Sequence, residues 1–126
     1  MKDGRLFIAQ RPAGGEAAFK WEFPGGKIEH GETPEQAIIR EIREELDAEI
    51  SIRREIALIE HDYKSFHLTM HLFLCNLVGK DPVIKEHLAF KWITAAEVHS
   101  QDWAPADYQI LDTVCSECFN WHNISL

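Results

Sequence analysis

The chain has 126 residues, of which 45% are hydrophobic and 27% charged, and its formal net charge is −8. That length fits one domain over residues 1–126 that buries roughly two-thirds of its unfolded surface, and the composition excludes disorder. The acidic balance without a basic stripe excludes duplex nucleic acid as a partner, no apolar run reaches the roughly 20 residues of a membrane span, and the opening MKDGRLFIAQRP lacks a signal-peptide core.

Residues Arg5–Gln10 read as a strand after an Asp3-Gly4 turn. A loop with Pro12, Gly14 and Gly15 follows. Trp21–Phe23 is a short strand leading into Pro24-Gly25-Gly26, where glycine lets the backbone turn tightly and approach phosphates. Phe23 fits a stacking wall or the core equally well. Thr33, Pro34 and Gln36 then start a helix with a hydroxyl N-cap, proline at the first helical position and a capping-box partner. Ile38, Ile42 and Leu46 recur every four residues and form its apolar face. Off that face, Glu41, Glu44 and Glu45 share an arc of roughly 100°. Like charges so spaced cost roughly a few tenths of a kcal/mol per pair. The cluster is therefore either a solvated face or a seat for a cation, and oxygen ligands suit Mg²⁺ or Mn²⁺ rather than Zn²⁺. Arg40 is spaced for an ordinary i to i+4 pair with Glu44.

Beyond the helix, Ile50–His61 reads as a strand with mixed faces and Asp62–Ser65 as a turn. From Phe66 to Leu74 the apolar residues Phe66, Leu68, Met70, Leu72 and Leu74 alternate with polar ones, which predicts a strand. His67 and His71 lie on its other face as pocket or surface residues. A loop at 79–82, a strand at Leu88–Ile93 and a helical turn at Thr94–Val98 follow. Pro105 opens a final helix that buries Ile110, Leu111, Val114, Cys115, Cys118 and Phe119. Cys115 and Cys118, with His122 beyond them, are either a zinc or redox site or part of that buried stripe; no second ligand pair stands nearby in sequence. With Cys75 the cysteine count is odd, which fits a reduced, cytoplasmic protein. The order of elements predicts an α/β/α sandwich, a mixed sheet with one helix on each side.

Gly26, Glu32, Arg40-Glu41, an aliphatic residue, Glu44-Glu45, Asp47 and Ala48 stand at spacings that resemble the signature of the Nudix hydrolases, which cleave a nucleoside diphosphate linked to another group. The resemblance implies the same sandwich and metal-assisted attack of water on a diphosphate. It implies Glu41, Glu44 and Glu45 as ligands of Mg²⁺, with Mn²⁺ a substitute, one of them or a further acid serving as general base. Arg40 would hold the acids in place, and Gly25, Gly26, Lys27, Glu32 and Arg11 would form the phosphate-facing loop and its support. Arg11, Phe23, Trp92 and Pro105-Ala106-Asp107 look similar to mutator-type nucleotide-pool members of the family, including 8-oxo-dGTP diphosphatases and CTP pyrophosphohydrolases. In that subgroup an acid between the last two strands also contacts metal. Glu86 stands at the matching place, although read alone it is a surface acid of a loop.

The chain departs from the family pattern in three places. Asp47 replaces a glycine that ends the helix in a left-handed conformation, which implies a small stability cost and untouched metal ligands. The resemblance implies a strand ahead of the Asp3-Gly4 turn; here the chain begins at the turn, so either the start is truncated or another segment covers the exposed edge. Asp107 stands where the 8-oxo-dGTP enzyme that the chain resembles carries asparagine, and an ionised aspartate only accepts hydrogen bonds. It would read an exocyclic amine such as cytosine N4 or the donor edge of a guanine-type base, unless it merely caps the last helix. The expected activity is Mg²⁺-dependent hydrolysis of a nucleoside triphosphate to a monophosphate and pyrophosphate, acting on 8-oxo-dGTP or dGTP, with CTP or modified dCTP as the alternative. A nucleoside diphosphate sugar is disfavoured by the short chain, and a non-catalytic nucleotide-binding module by the retained carboxylates. The enzyme would be a monomer or homodimer with no nucleic-acid or membrane partner.

Overall fold

Asp3 and Gly4 both take positive φ, 51° and 73°, and Lys2 and Arg5 exchange two hydrogen bonds of 3.0 Å across them. This two-residue turn matches the twist of the strand it precedes. The computed structural model describes residues 1–25 and 28–119. Strand β1 spans Leu6–Gln10, β2 Trp21–Glu22, helix α1 Pro34–Leu46, β3 Glu49–Asp62, β4 His67–Val78 and β5 Ala89–Ile93. A 3-10 helix at Ala95–Ser100, α2 at Pro105–Tyr108 and α3 at Leu111–Phe119 complete the order.

Alternation along β1 divides the interior. Leu6 and Ile8 point into one core with Ile93, Val98, Trp103 and the α3 residues Leu111, Val114 and Cys115. Phe7 points the other way, against a second core of Ile42, Leu46 and Ala48. The sheets thus carry α1 on one face and α3 on the other, the three layers expected from the sequence. β1 lies between β2 and β5, and β3 pairs with β4. Among the described residues the named strands pair only antiparallel. The parallel part of the expected mixed sheet is confined to a bridge between Trp21 and Trp103 and to Met1. The Met1 amino group donates to the Cys75 carbonyl at 2.5 Å and the Leu77 N–H donates to the Met1 carbonyl at 3.2 Å, the alternation a parallel pair makes. Beside this contact a largely apolar cleft of about 790 Å³ opens between the two sheets, with Leu68, Met70 and Leu74 among its walls.

The mixed faces read in Ile50–His61 have a structural cause. The β3–β4 register shifts between Ile52 and Arg54 and again between Glu55 and Ala57. Each bulge adds a residue to β3 and inverts which face the next side chain meets. The single final helix expected from Pro105 is corrected to two. α2 ends at Tyr108, and α3 begins at Leu111 after a turn. Ile110, buried at that turn, and Leu111 both pack into the core. Cys115 is buried and Cys118 packs against the same core, so both fill the apolar stripe. His122 lies outside the described residues.

The helix α1 is closed as its sequence predicts. Thr33 Oγ1 accepts from the Gln36 N–H at 3.1 Å, and the Gln36 side chain accepts from the Thr33 N–H at 2.9 Å. At the other end Asp47 adopts φ 49° and ψ 43°, the left-handed conformation, and its N–H bonds Arg43 O. Lys80 Nζ sits 2.5 Å from the Asp47 carboxylate and offsets the acid placed at the negative end of the helix.

Trp103 joins the layers. It is 1% exposed, donates from Nε1 to Val98 O at 2.7 Å and stacks on Phe23 with ring centroids 4.7 Å apart. Trp103→Ala is expected to cost about 3–5 kcal/mol in urea unfolding, with a smaller loss for Trp103→Phe, which keeps the stack and gives up the hydrogen bond.

Candidate active site

Arg40 sits on α1 among the acids and is fully engaged by them. Its Nε and Nη2 form a fork on Glu32, at 2.7 and 3.0 Å. Its Nη1 donates to Glu41 at 2.8 Å and to Glu44 at 3.1 Å. The i to i+4 pair with Glu44 is therefore present but is one contact of several. Glu32 also accepts from the Glu29 N–H at 2.8 Å, which ties the loop before α1 to its acids. The Arg40 fork and this amide hold the Glu32 carboxyl below its usual range.

Glu41, Glu44 and Glu45 line one cavity of about 440 Å³ together with Glu86. Glu86 is brought there by a loop pinned at both ends. The Val83 N–H donates to Leu46 O at 2.7 Å, Lys85 Nζ donates to Glu44 O at 2.9 Å, and the Leu88 N–H donates to Gln10 O at 3.0 Å. Lys85 thus caps the Glu44 carbonyl near the C-terminal end of α1 and hangs its neighbours over the acidic ridge. Half-buried Glu45 has its carboxyl pushed up to about 7, first by burial and then by the hydrogen bond and charge of Glu41. Two carboxyls so placed retain a proton where a cation would otherwise sit. The donors are all oxygens, so the set fits a hard divalent ion. Arg40 engages Glu41 and Glu44, and among the described residues no three acids stand together as a metal cage.

The loop residues divide. Gly25 lines the cavity, but a Cβ there would meet Ile38 Cδ1 at an ordinary 3.7 Å and its φ is not positive, so sterics do not demand glycine. Gly26 and Lys27 lie outside the described residues. Arg11 lines the cavity and bonds Glu22 Oε1 at 2.9 Å. Trp92 is remote from the acids and packs edge-on against Phe7, with ring centroids 5.4 Å apart.

Phe23 and Asp107 line the apolar cleft. Phe23 serves both of its expected roles, stacked on Trp103 and facing the cleft. Asp107 is 4% exposed and its Oδ1 has no hydrogen-bond partner among the described residues. Ala104 is the N-cap of α2, and Asp107 lies in the first turn of that helix, where a negative charge is favoured. Burial, then the charge of Glu22, pushes its carboxyl up to about 7, against a counteracting bond from the Phe23 N–H. This burial favours the protonated form, which can donate as well as accept, over the ionised form, which only accepts.

Several residues of the site were missed in the sequence, Lys85 among them. Glu22 and His87 line the acidic cavity, and Tyr63 and Phe66 line the cleft. Tyr63 stacks on Phe66 at 4.8 Å and its hydroxyl accepts from the Ala106 N–H at 3.2 Å, beside Asp107. Glu16 Oε1 accepts from the Ser65 N–H at 3.1 Å and ties the hairpin tip to the loop after β1. The only local signal was aromatic residues around a turn.

Two outcomes follow. Arg40→Lys keeps the charge but not the fork, and is expected to lower turnover about tenfold or more while circular dichroism stays unchanged. For Asp107, whose ordinary value is 3.8, the folded chain holds a proton that the unfolded chain has released. Its contribution to stability therefore falls as pH rises from about 4 to about 7, by on the order of 2–4 kcal/mol. Asp107→Asn removes that slope, so its advantage over wild type in urea unfolding is expected to grow across this window.

Comparison with known proteins gives a consistent picture. A family model for the NUDIX domain matches residues 1–113. The chain is 38% identical over 106 residues to a putative 8-oxo-dGTP diphosphatase 2 of Mycobacterium tuberculosis, an alignment covering 81% of this chain and 73% of that protein. It is 33% identical over 111 residues to the CTP pyrophosphohydrolase of Escherichia coli, covering 88% and 82%. The solution structure of the E. coli ORF135 protein superposes with a TM-score of 0.79 at 33% identity, over 91% of this chain and 82% of that one. A match of that extent, over an acidic helix built as the signature requires, establishes that the chain belongs to the Nudix hydrolase family.

Proposed function

We propose that this chain is a Mg²⁺-dependent nucleoside triphosphate pyrophosphohydrolase that releases a nucleoside monophosphate and pyrophosphate. Mn²⁺ would substitute. One observation carries the reading. The acidic cavity and the apolar cleft share Arg11, Glu22 and Gly25 as a common wall. A ligand with a polyphosphate at one end and a flat base at the other spans both. Its names among relatives, an 8-oxo-dGTP diphosphatase and a CTP pyrophosphohydrolase, are of that kind.

Nudix hydrolases generally depend on a divalent metal. Such an ion, once bound, neutralises phosphate oxygens and lowers the pKa of an attacking water. Glu41, Glu44, Glu45 and Glu86 are the residues that would hold it. Arg40 fixes the ridge, and its hold on Glu41 and Glu44 keeps like charges on adjacent turns from splaying apart. Arg11 and Lys85 offer the cavity's positive charge to phosphate oxygens. In the cleft, Phe23 and Tyr63 offer ring faces to a base, and Asp107 reads its edge. A neutral carboxyl donates through one oxygen and accepts through the other, as an asparagine amide does. 8-Oxoguanine presents that pairing, an O6 acceptor beside an N7–H donor, whereas guanine presents two acceptors there. Cytosine, with its N4 amine beside N3, offers the same complement, and the CTP-hydrolysing relative favours it as the second reading. No described helix is long and apolar enough to cross a membrane. We place the enzyme in the cytoplasm, as one domain in a monomer or homodimer.

The first test is pyrophosphate release from canonical and oxidised nucleotides with Mg²⁺; binding without release would make the chain a nucleotide-binding module. Glu44 is 60% exposed, so Glu44→Gln should fold normally. It is expected to lower turnover about a hundredfold or more, and unchanged turnover would refute the assigned ridge. Asp107→Asn should alter base preference more than maximal rate; an equal loss on every substrate would count against the base reading.

A further inference from the structure

Three side chains from separate parts of the chain meet at the wall shared by cavity and cleft. Arg11 follows β1, Glu22 lies on β2, and His87 is carried by the loop pinned over α1. Glu22 uses both carboxylate oxygens: Oε1 accepts from Arg11 Nη1 at 2.9 Å and Oε2 pairs with His87 Nε2 at 3.1 Å. The Glu22 side chain is 18% exposed and that of His87 8%, so the pairing is sheltered from water. Two further atoms, Arg11 Nε and His87 Nδ1, are buried with no hydrogen-bond partner among the described residues. Buried polar atoms left unpaired are costly, and here both belong to the group that faces the cavity.

We infer that Glu22 and His87 are positioning residues that lock the Arg11 guanidinium at the junction of the acidic cavity and the apolar cleft, where it takes the phosphate chain of a nucleotide. Arg11 is otherwise a long side chain whose ordering would have to accompany substrate binding. Glu22 fixes one guanidinium nitrogen, and His87 fixes Glu22 from behind. None of the three lies on the signature helix, and the signature alone does not require them. The inference rests on the nucleotide reading for the identity of the ligand but not for the clasp itself.

The test uses the full chain and two readouts other than turnover. The first is the ¹⁵N-correlated Arg11 Nε–H resonance without ligand, assigned by its absence in Arg11→Ala. It is expected to be resolved in wild type, lost through motion and solvent exchange in His87→Ala, and restored in His87→Gln, whose amide still donates to Glu22. The second is calorimetric binding of magnesium pyrophosphate. Arg11→Ala, Glu22→Gln and His87→Ala are each expected to weaken it about tenfold. The Arg11→Ala/His87→Ala double variant is expected to bind no more weakly than Arg11→Ala alone, because His87 acts through Arg11. Additive losses, unchanged binding in His87→Ala, an unaltered Arg11 resonance, or no pyrophosphate binding by wild type would each overturn the assignment. Wild type that binds pyrophosphate with this coupling but hydrolyses no nucleoside triphosphate would sink the proposed function and leave the clasp standing.

Discussion

The Arg40 guanidinium reaches Glu32, Glu41 and Glu44 from within the helix that bears two of them. Without it, three acids on adjacent turns would repel one another and the loop before α1 would have no anchor. Charge-assisted bonds to arginine are roughly twice as strong as neutral ones, which outweighs repulsion of roughly a few tenths of a kcal/mol per helical pair. Arg40 thus ties these three acids to one another through its own hydrogen bonds. The remaining strain of the ridge is concentrated at Glu45, where burial and Glu41 favour the protonated form.

The scaffold delivers the other half of the site through backbone contacts. The turn after α1 is held by Asp47 in a left-handed conformation with Lys80 at its carboxylate. Val83 and Lys85 then fasten the next loop to carbonyls at the end of α1. Leu88 fastens that loop to the last residue of β1. Glu86 and His87 fall between these anchors, so their placement follows from the helix end and strand end together. On the opposite side, Trp103 carries Phe23 and the start of α2, and with them Asp107, into the cleft.

What the sequence disclosed was local. Thr33, Pro34 and Gln36 fix a helix start within one turn, and Ile38, Ile42 and Leu46 fix its inner face, so α1 and its acids were legible. β4 was legible because its alternation is unbroken from Leu68 to Leu74. β3 was blurred because two bulges change its phase, and bulges leave no distinct residue signature here. The break between α2 and α3 was hidden because Ile110 and Leu111 suit either reading. Glu22 and His87, 65 positions apart, meet only after the sheets form. The altered acidity of Asp107 depends on its burial and on the charge of Glu22, properties of the fold and not of its flanking residues.

Glu22 stands between the two halves of the site and raises the carboxyls of both Glu45 and Asp107. Its single negative charge is therefore a shared setting. Taking away that one carboxylate would lower both groups together, which ties the acidity of the cavity to that of the cleft.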